Sequence, residues 1–322
     1  MKISILTILL ILVYGFVLKG QIRDEIILTV NEYPETFSNY FDLAEKISHD
    51  FDSPQDRVCA IYLWIANNIA YDIKTYKSKK KSKTYSYRTH KQKIKREEKY
   101  NNKTIQEVFQ KRKAICDGYS RLFKKLCDLN NIECVIISGI AKTKDYQIGN
   151  SRGERHAWNA VRINHKWQLV DATWGAGYVD LVSDTFIHTL DTTYLFTKPE
   201  LFFLKHYPFS KDWIFVQKTK QDFANLPLYY SAFLNSEIKI YSPENGVILK
   251  DNGGKIQIDL ESNNDNHLFS YCFKNQRYST SIEVEKNNQI MTLNIPLDGR
   301  KSGYLTIFDN HKAIVMYKLK IN

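Results

Sequence analysis

From residue 228 to the C-terminus the chain is cut into eight short runs, among them "KIQIDL", "LFSYCF", "MTLNIPL" and "AIVMYKLKI". Apolar and polar residues alternate within them, and Asn, Gly, Asp and Pro separate them. A side-chain period of two belongs to an extended strand with one buried face, not to a helix. Eight such strands joined by polar turns need a cover for their apolar faces, which two stacked antiparallel sheets provide. Residues 228–322 are therefore read as an all-β, sandwich-like domain. The chain before them has a different texture, so at least two folding units are expected.

Upstream, "PQDRVCAIYLWIANNIA" (54–70) carries Val58, Ile61, Trp64, Ile65 and Ile69 at helical spacing, with Pro54 suited to a first turn. "TIQE" at Thr104 has the form of a capping box and predicts a short helix from there through Phe109. After "KRKAI", the residues Leu122, Phe123, Leu126 and Leu129 share one helical face, which puts Cys116 at or just before a helix N-terminus. "ECVIISGIA" (133–141) reads as a strand. "HAWNAVRI" (156–163) and "KWQLVDAT" (166–173) read as a hairpin turning at Asn164-His165. Helices followed by an antiparallel sheet make this half α+β.

Three residues of that half carry chemistry in combination. A helix N-terminus favours a thiolate, because its unpaired N–H groups and dipole attract negative charge. A reactive cysteine also needs a base, commonly a histidine whose tautomer a third group fixes. Folding the hairpin at 164–165 brings His156 and Asp171 to the same end of the sheet. Asp171 follows the buried-looking run "WQLV", where a carboxylate without a partner would be costly. Cys116, His156 and Asp171 are thus the candidate catalytic set. Cys59, Cys127, Cys134 and Cys272 read as core thiols. Gln110, six residues before Cys116, is a secondary candidate for an oxyanion donor. No CxxC pair and no acidic calcium loop occurs, so neither a metal nor a cofactor is expected.

Charge is concentrated. Between Lys74 and Lys99 twelve Lys and Arg face only Glu97 and Glu98, which accounts for +10 of the net +11. Residues 74–103 read as a long exposed basic insertion, able to touch a polyanion, and no specific nucleic-acid partner is expected. At the other end, Lys2, the apolar run Ile3–Leu18 and Gly20 have the form of a signal peptide cleaved after residue 20. The mature chain would then be exported (periplasmic or secreted) with no stable membrane span. An uncleaved anchor is the alternative, since the run is close to the lower length for a span.

The stretches "AICDGYSRLFKKLCDLNNIECVIISGIAK" and "RHAWNAVRINHKWQLVDATWGAG" resemble the transglutaminase-like superfamily of papain-type cysteine enzymes. "PELFFLKHYPFSKDW" with "FANLP" further resembles its kyphoscoliosis-peptidase branch. The resemblance implies a transglutaminase-like core over 51–198 that carries the insertion 74–103. A 21–50 extension would precede it, and a 199–227 connector would lead to the sandwich. It implies that Cys116 in "CDG" is the nucleophile, His156 in "HAWN" the base and Asp171 in "VDATW" the orienting acid. The expected activity is acyl transfer at amide bonds of a peptide or protein substrate, hydrolysis first. A catalytically idle scaffold or binding module on the same fold is the alternative.

Overall fold

The computed structural model describes residues 22–34, 36–78, 88–180, 182–250, 254–264 and 266–321. The expected signal peptide at 1–20 and the middle of the basic segment, 79–87, lie outside the described residues.

Three helices come first: α1 (Asp24–Asn31), α2 (Tyr40–Asp50) and α3 (Pro54–Asn68). Asn39 caps α2, and Ser53 with Pro54 opens α3. Nine consecutive residues of α3, Val58 to Ala66, are buried, so it is the central helix rather than a surface one. Its chain continues through β1 (Ala70–Tyr71) into α4 (Ile73–Lys77).

The next element departs from the sequence expectation. Instead of a loop followed by a short helix at Thr104, one helix, α5 (His90–Lys111), is capped by Thr89 and runs for 22 residues. Its first three turns are exposed and almost without apolar residues. Good helix formers and i,i+4 pairs support the helix: Lys93–Glu97 at 3.9 Å in the exposed turns, and Lys103–Glu107 at 3.8 Å with Lys111–Glu107 at 3.7 Å nearer its end. Only Ile105, Val108 and Phe109 near its end are buried, so apolar periodicity marked the last turns alone.

The strand β2 (Lys113–Ala114) pairs in parallel with β1, and α6 (Cys116–Leu129) begins one residue later. Then come β3 (Cys134–Ala141), β4 (Glu154–Ile163), β5 (Lys166–Val170), the short α7 (Ala172–Gly175) and a separate hairpin of β6 (Gly177–Asp180) with β7 (Thr185–His188). β8 (Leu195–Thr197), α8 (Pro199–Phe203) and β9 (His206–Pro208) complete the half. The main sheet is antiparallel with order β8-β5-β4-β3-β9. Its β4–β5 turn is the one foreseen, with Asn164 and His165 at φ 49 and 61 and Ile163 opposite Lys166.

Both faces of this sheet are covered. Val161, Ile163 and Val170 join α3 and α6 in the main core. Trp158, Ala160 and Leu169 pack against Phe202, with Trp213 and Phe215 beside them. Gly139 is required where the layers meet. A Cβ there would lie 2.3 Å from the Tyr207 carbonyl and 2.4 Å from the tip of Trp158. Without it, β9 could not lie against β3.

The chain then passes through α9 (Lys220–Asn225), β10 (Leu228–Tyr229) and α10 (Ser231–Asn235) into the C-terminal domain. Its strands are β11 (Lys239–Ser242), β12 (Val247–Lys250), β13 (Lys255–Glu261), β14 (Phe269–Phe273), β15 (Thr280–Ser281), β16 (Val284–Asn287), β17 (Ile290–Pro296), β18 (Gly303–Asp309) and β19 (Lys312–Ile321). They form two sheets, β10-β19-β18-β14-β15 with β12 also on β19, and β11-β13-β17-β16. Ile256, Ile258, Leu260, Leu293 and Ile295 of one sheet face Leu305, Ile307, Val315 and Tyr317 of the other in a single core.

A buried lysine ties the first half to α9. Lys142 is 1% exposed, and its ammonium donates to the carbonyls of Phe223 (2.6 Å), Ala224 (3.1 Å) and Leu226 (2.7 Å). Burial pulls its pKa down to about 7. Three acceptors at a helix C-terminus offset part of that cost. An unfolded lysine keeps its proton to about pH 10.4, so between the two values the unfolded chain binds more protons and stability rises with pH. Stability, and with it the melting temperature, is therefore expected to climb between pH 7 and 9.5, and to climb less in Lys142→Met, the difference in stability being at most about 1.4 kcal/mol per pH unit. Equal slopes in parent and variant would rule out Lys142 as the cause.

Candidate active site

Cys116 is the first residue of α6, and the preceding chain is pinned on both sides. Ala70 N–H donates to Arg112 O and Asp72 N–H to Ala114 O, each at 2.8 Å. The glycine of "CDG" has a packing reason: a Cβ on Gly118 would meet Ala114 Cβ and Val108 Cγ2 at 2.8 Å. A bare Cα lets the first turn of α6 press against α5. The Gly118 and Tyr119 amides bond to Ile115 O, while the leading amides of α6 point out of its end. Cys116 is half-buried, whereas Cys59, Cys127 and Cys134 are buried. Burial lifts the Cys59 thiol to about 12 and raises Cys127 as well. Cys272, read as a core thiol, is instead half-buried on β14. All five are free thiols.

His156 stands near the start of β4 and Asp171 just past the end of β5. The hairpin register, with Asn159 opposite Val170, carries them to the same end. Their side chains meet: His156 Nε2 lies 2.6 Å from Asp171 Oδ2. The second imidazole nitrogen is then free to face Cys116, which is close enough to raise the charge preference of the ring. Burial alone would lower the His156 pKa, but Asp171, by charge and hydrogen bond, and Cys116 hold it well above the ordinary value. Burial likewise opposes the Asp171 carboxylate, yet His156 and His206 keep it well below the usual carboxylate range. Asp171 is 0% exposed and is satisfied on both oxygens. It caps α7, with Oδ1 accepting the amides of Thr173 (2.9 Å) and Trp174 (3.2 Å). The Trp174 ring stacks on His156 at 5.0 Å and 22°.

The sequence reading missed His206. It lies on β9, with Nε2 3.0 Å from the same Oδ2 and Nδ1 3.2 Å from Phe202 O. Its place depends on β9 pairing with β3, Ala141 opposite His206, which no local pattern in "LKHYPF" announces. His156, Asp171 and His206 offer ligand atoms within 4.8 Å of one another, a grouping able to hold a metal. Both Nε2 atoms converge on one carboxylate oxygen at hydrogen-bond lengths, and the arrangement is accounted for by protons. Arg112, just before Cys116, does not face the thiol: its guanidinium lies over Trp64 (4.4 Å) and Phe109 (4.7 Å). Gln110 is exposed on α5.

Tyr71 lies opposite Ala114 on the β1–β2 pair, and its ring is 5.8 Å from that of Tyr76 on α4. Tyr76 donates to Glu154 (2.7 Å), and Lys77 pairs with Asp184 at 2.6 Å, so α4 is fastened to β4 and to the β6–β7 hairpin. In the C-terminal domain a hydroxyl–imidazole–carboxylate line also occurs, with His267 between Ser262 (2.8 Å) and Asp309 (2.9 Å). Ser262 Oγ also accepts the Asn264 amide at 3.1 Å, and the cluster ties Ser262 and His267 to Asp309 at the end of β18.

Known proteins resemble parts of this chain. Residues 77–172 match the family model of the transglutaminase-like superfamily, and 220–320 match the KY-like, immunoglobulin-like domain. The chain is 29% identical over 290 residues to the kyphoscoliosis peptidase of Mus musculus, covering 87% of this chain and 40% of that protein. It is 32% identical over 133 residues to hillarin of Drosophila melanogaster, covering 36% and 16% respectively. Among solved structures, a crystal structure of a TGase matches with TM-score 0.29 at 16% identity, over 56% of this chain and 38% of that one. This chain spans only 40% of the length of its mouse relative.

Proposed function

We propose that this chain, which joins a transglutaminase-like domain to a KY-like immunoglobulin-like domain, is a cysteine enzyme that transfers acyl groups from amide bonds of a peptide or protein. The observation that carries the reading is His156 fixed by Asp171 at 2.6 Å, with its other nitrogen available to Cys116 at the start of α6. His156 takes the Cys116 proton, and the sulfur attacks the amide carbonyl carbon. The carbonyl oxygen gains the electron pair, and the Cys116 backbone N–H at the helix start supports that oxyanion. When the C–N bond breaks, the imidazolium gives its proton to the departing amine and a thioester remains. His156 next takes a proton from water, or from an amine such as a lysine, which attacks the thioester and restores the thiol. The mouse relative is called a peptidase, and on that likeness hydrolysis is the first outcome.

Export is part of the proposal and rests on the N-terminal apolar run. So is a polyanion contact through 74–103, supported by the exposure of Lys91, Lys95 and Lys99 on α5. The test of the chemistry is mass spectrometry of the intact chain after exposure to a peptide library. A mass added on Cys116 that disappears with water, or faster with an added amine, is expected. No adduct from any peptide, with folded protein, would favour the idle scaffold.

A further inference from the structure

We infer that His206 is a positioning residue of the same site, donating Nε2–H to Asp171 Oδ2 and so fixing the carboxylate that orients His156. The inference rests on the reading of Cys116, His156 and Asp171 as the reacting set.

The first support is hydrogen-bond accounting. Asp171 Oδ1 accepts two amides, and Oδ2 faces two imidazole nitrogens, at 2.6 and 3.0 Å. A carboxylate oxygen has two lone pairs, so both contacts can be donated bonds. Four donors from α7, β4 and β9 leave it no freedom to rotate. The second support is the setting of the ring. His206 is 1% exposed and stacked on Phe202 at 3.9 Å and 15°, with Trp174 at 4.3 Å and Trp158 at 5.0 Å. An apolar residue would fill such a cage more cheaply, so a polar ring there needs a polar reason.

The proton's location follows. Burial pulls the His206 pKa down to about 4, against the pull of Asp171, so the ring is neutral near pH 7. Both nitrogens face oxygen, and one proton must choose between the carboxylate at 3.0 Å and the Phe202 carbonyl at 3.2 Å. The charged and nearer acceptor is the stronger. Nε2 therefore carries the proton. The other ionisable neighbours are Lys205, whose Nζ is spent on Tyr229 O at 3.0 Å, and Tyr194, whose hydroxyl meets Ser231 at 2.7 Å.

Two measurements on the full chain decide the matter. Nitrogen NMR of the ring-labelled parent should show His206 as the Nε2–H tautomer near pH 7, and the Nδ1–H tautomer would overturn the inference without any variant. In His206→Phe, or in His206→Met if the first fails to fold, Asp171 has one donor fewer and should hold the His156 proton more firmly. The His156 titration should move up by about half a pH unit or more, and His206→Gln, which keeps a donor at the Nε2 position, should return it. An unmoved titration, or a shift that Gln leaves in place, sinks the idea. These readings are independent of turnover: if Cys116 proves no more reactive than in His156→Ala, the enzyme reading fails while the His206 tautomer still stands or falls by itself.

Discussion

Replacing His156 with alanine should slow iodoacetamide alkylation of Cys116 about 100-fold or more near pH 7. The attacking species is the thiolate, and a positioned base is worth about 10²–10⁴-fold in proton-transfer steps. His156 is well placed for that work. It is 9% exposed, its Nε2 is claimed by Asp171, and Trp174 lies flat on the ring. The remaining nitrogen has little else to do than face the thiol. The chain supplies its own control. Cys59, Cys127 and Cys134 are buried and should label only on unfolding, while Cys272 is half-buried and far along the chain in the sandwich. Peptide mapping should then show a fast Cys116 that becomes slow in the variant and a Cys272 that does not change. Equal slow labelling of Cys116 in both proteins would leave an idle fold.

The placement of Cys116, His156 and Asp171 was legible because local rules mark the elements that carry them. Cys116 sits where apolar helical spacing begins. His156 and Asp171 flank a two-residue turn whose left-handed backbone is common for Asn and tolerable for His. The sandwich strands were legible for the same reason, their period of two matching the burial pattern of β13 and β17. What the sequence hid depends on distant partners. His206 belongs to the site only because a three-residue strand pairs with β3 across Gly139, and Trp174 only because α7 folds its ring over His156. The long α5 was hidden for another reason. It is held through its first turns by charge spacing and helix propensity, which leave no apolar stripe.

Asp171→Ala should be the most destabilising change in the site, by about 3–5 kcal/mol, and should lower the melting temperature by roughly 10 °C. The side chain is wholly buried and accepts four hydrogen bonds, so its removal strands two imidazoles and two amides at once. The loss should depend on pH. A carboxylate held below its ordinary value stabilises the fold above about pH 4 and ceases to do so as pH falls further, because the unfolded chain then takes up the proton first. His156, held above its ordinary value, gives its full contribution below about pH 6.5 and loses it as pH rises. These are two views of one interaction, so the gap between parent and variant should be widest between about pH 4 and 6.5. Asp171→Asn separates stability from chemistry. It keeps the shape and the cap on α7, but an amide donor facing His156 Nε2 drives the proton to Nδ1, and the ring then offers Cys116 an N–H instead of a lone pair. Asp171→Asn is thus expected to melt closer to the parent than Asp171→Ala does, yet to alkylate at Cys116 nearly as slowly as His156→Ala. A folded Asp171→Asn with parental alkylation would show that His156 needs no orienting acid, and would remove Asp171 from the working set.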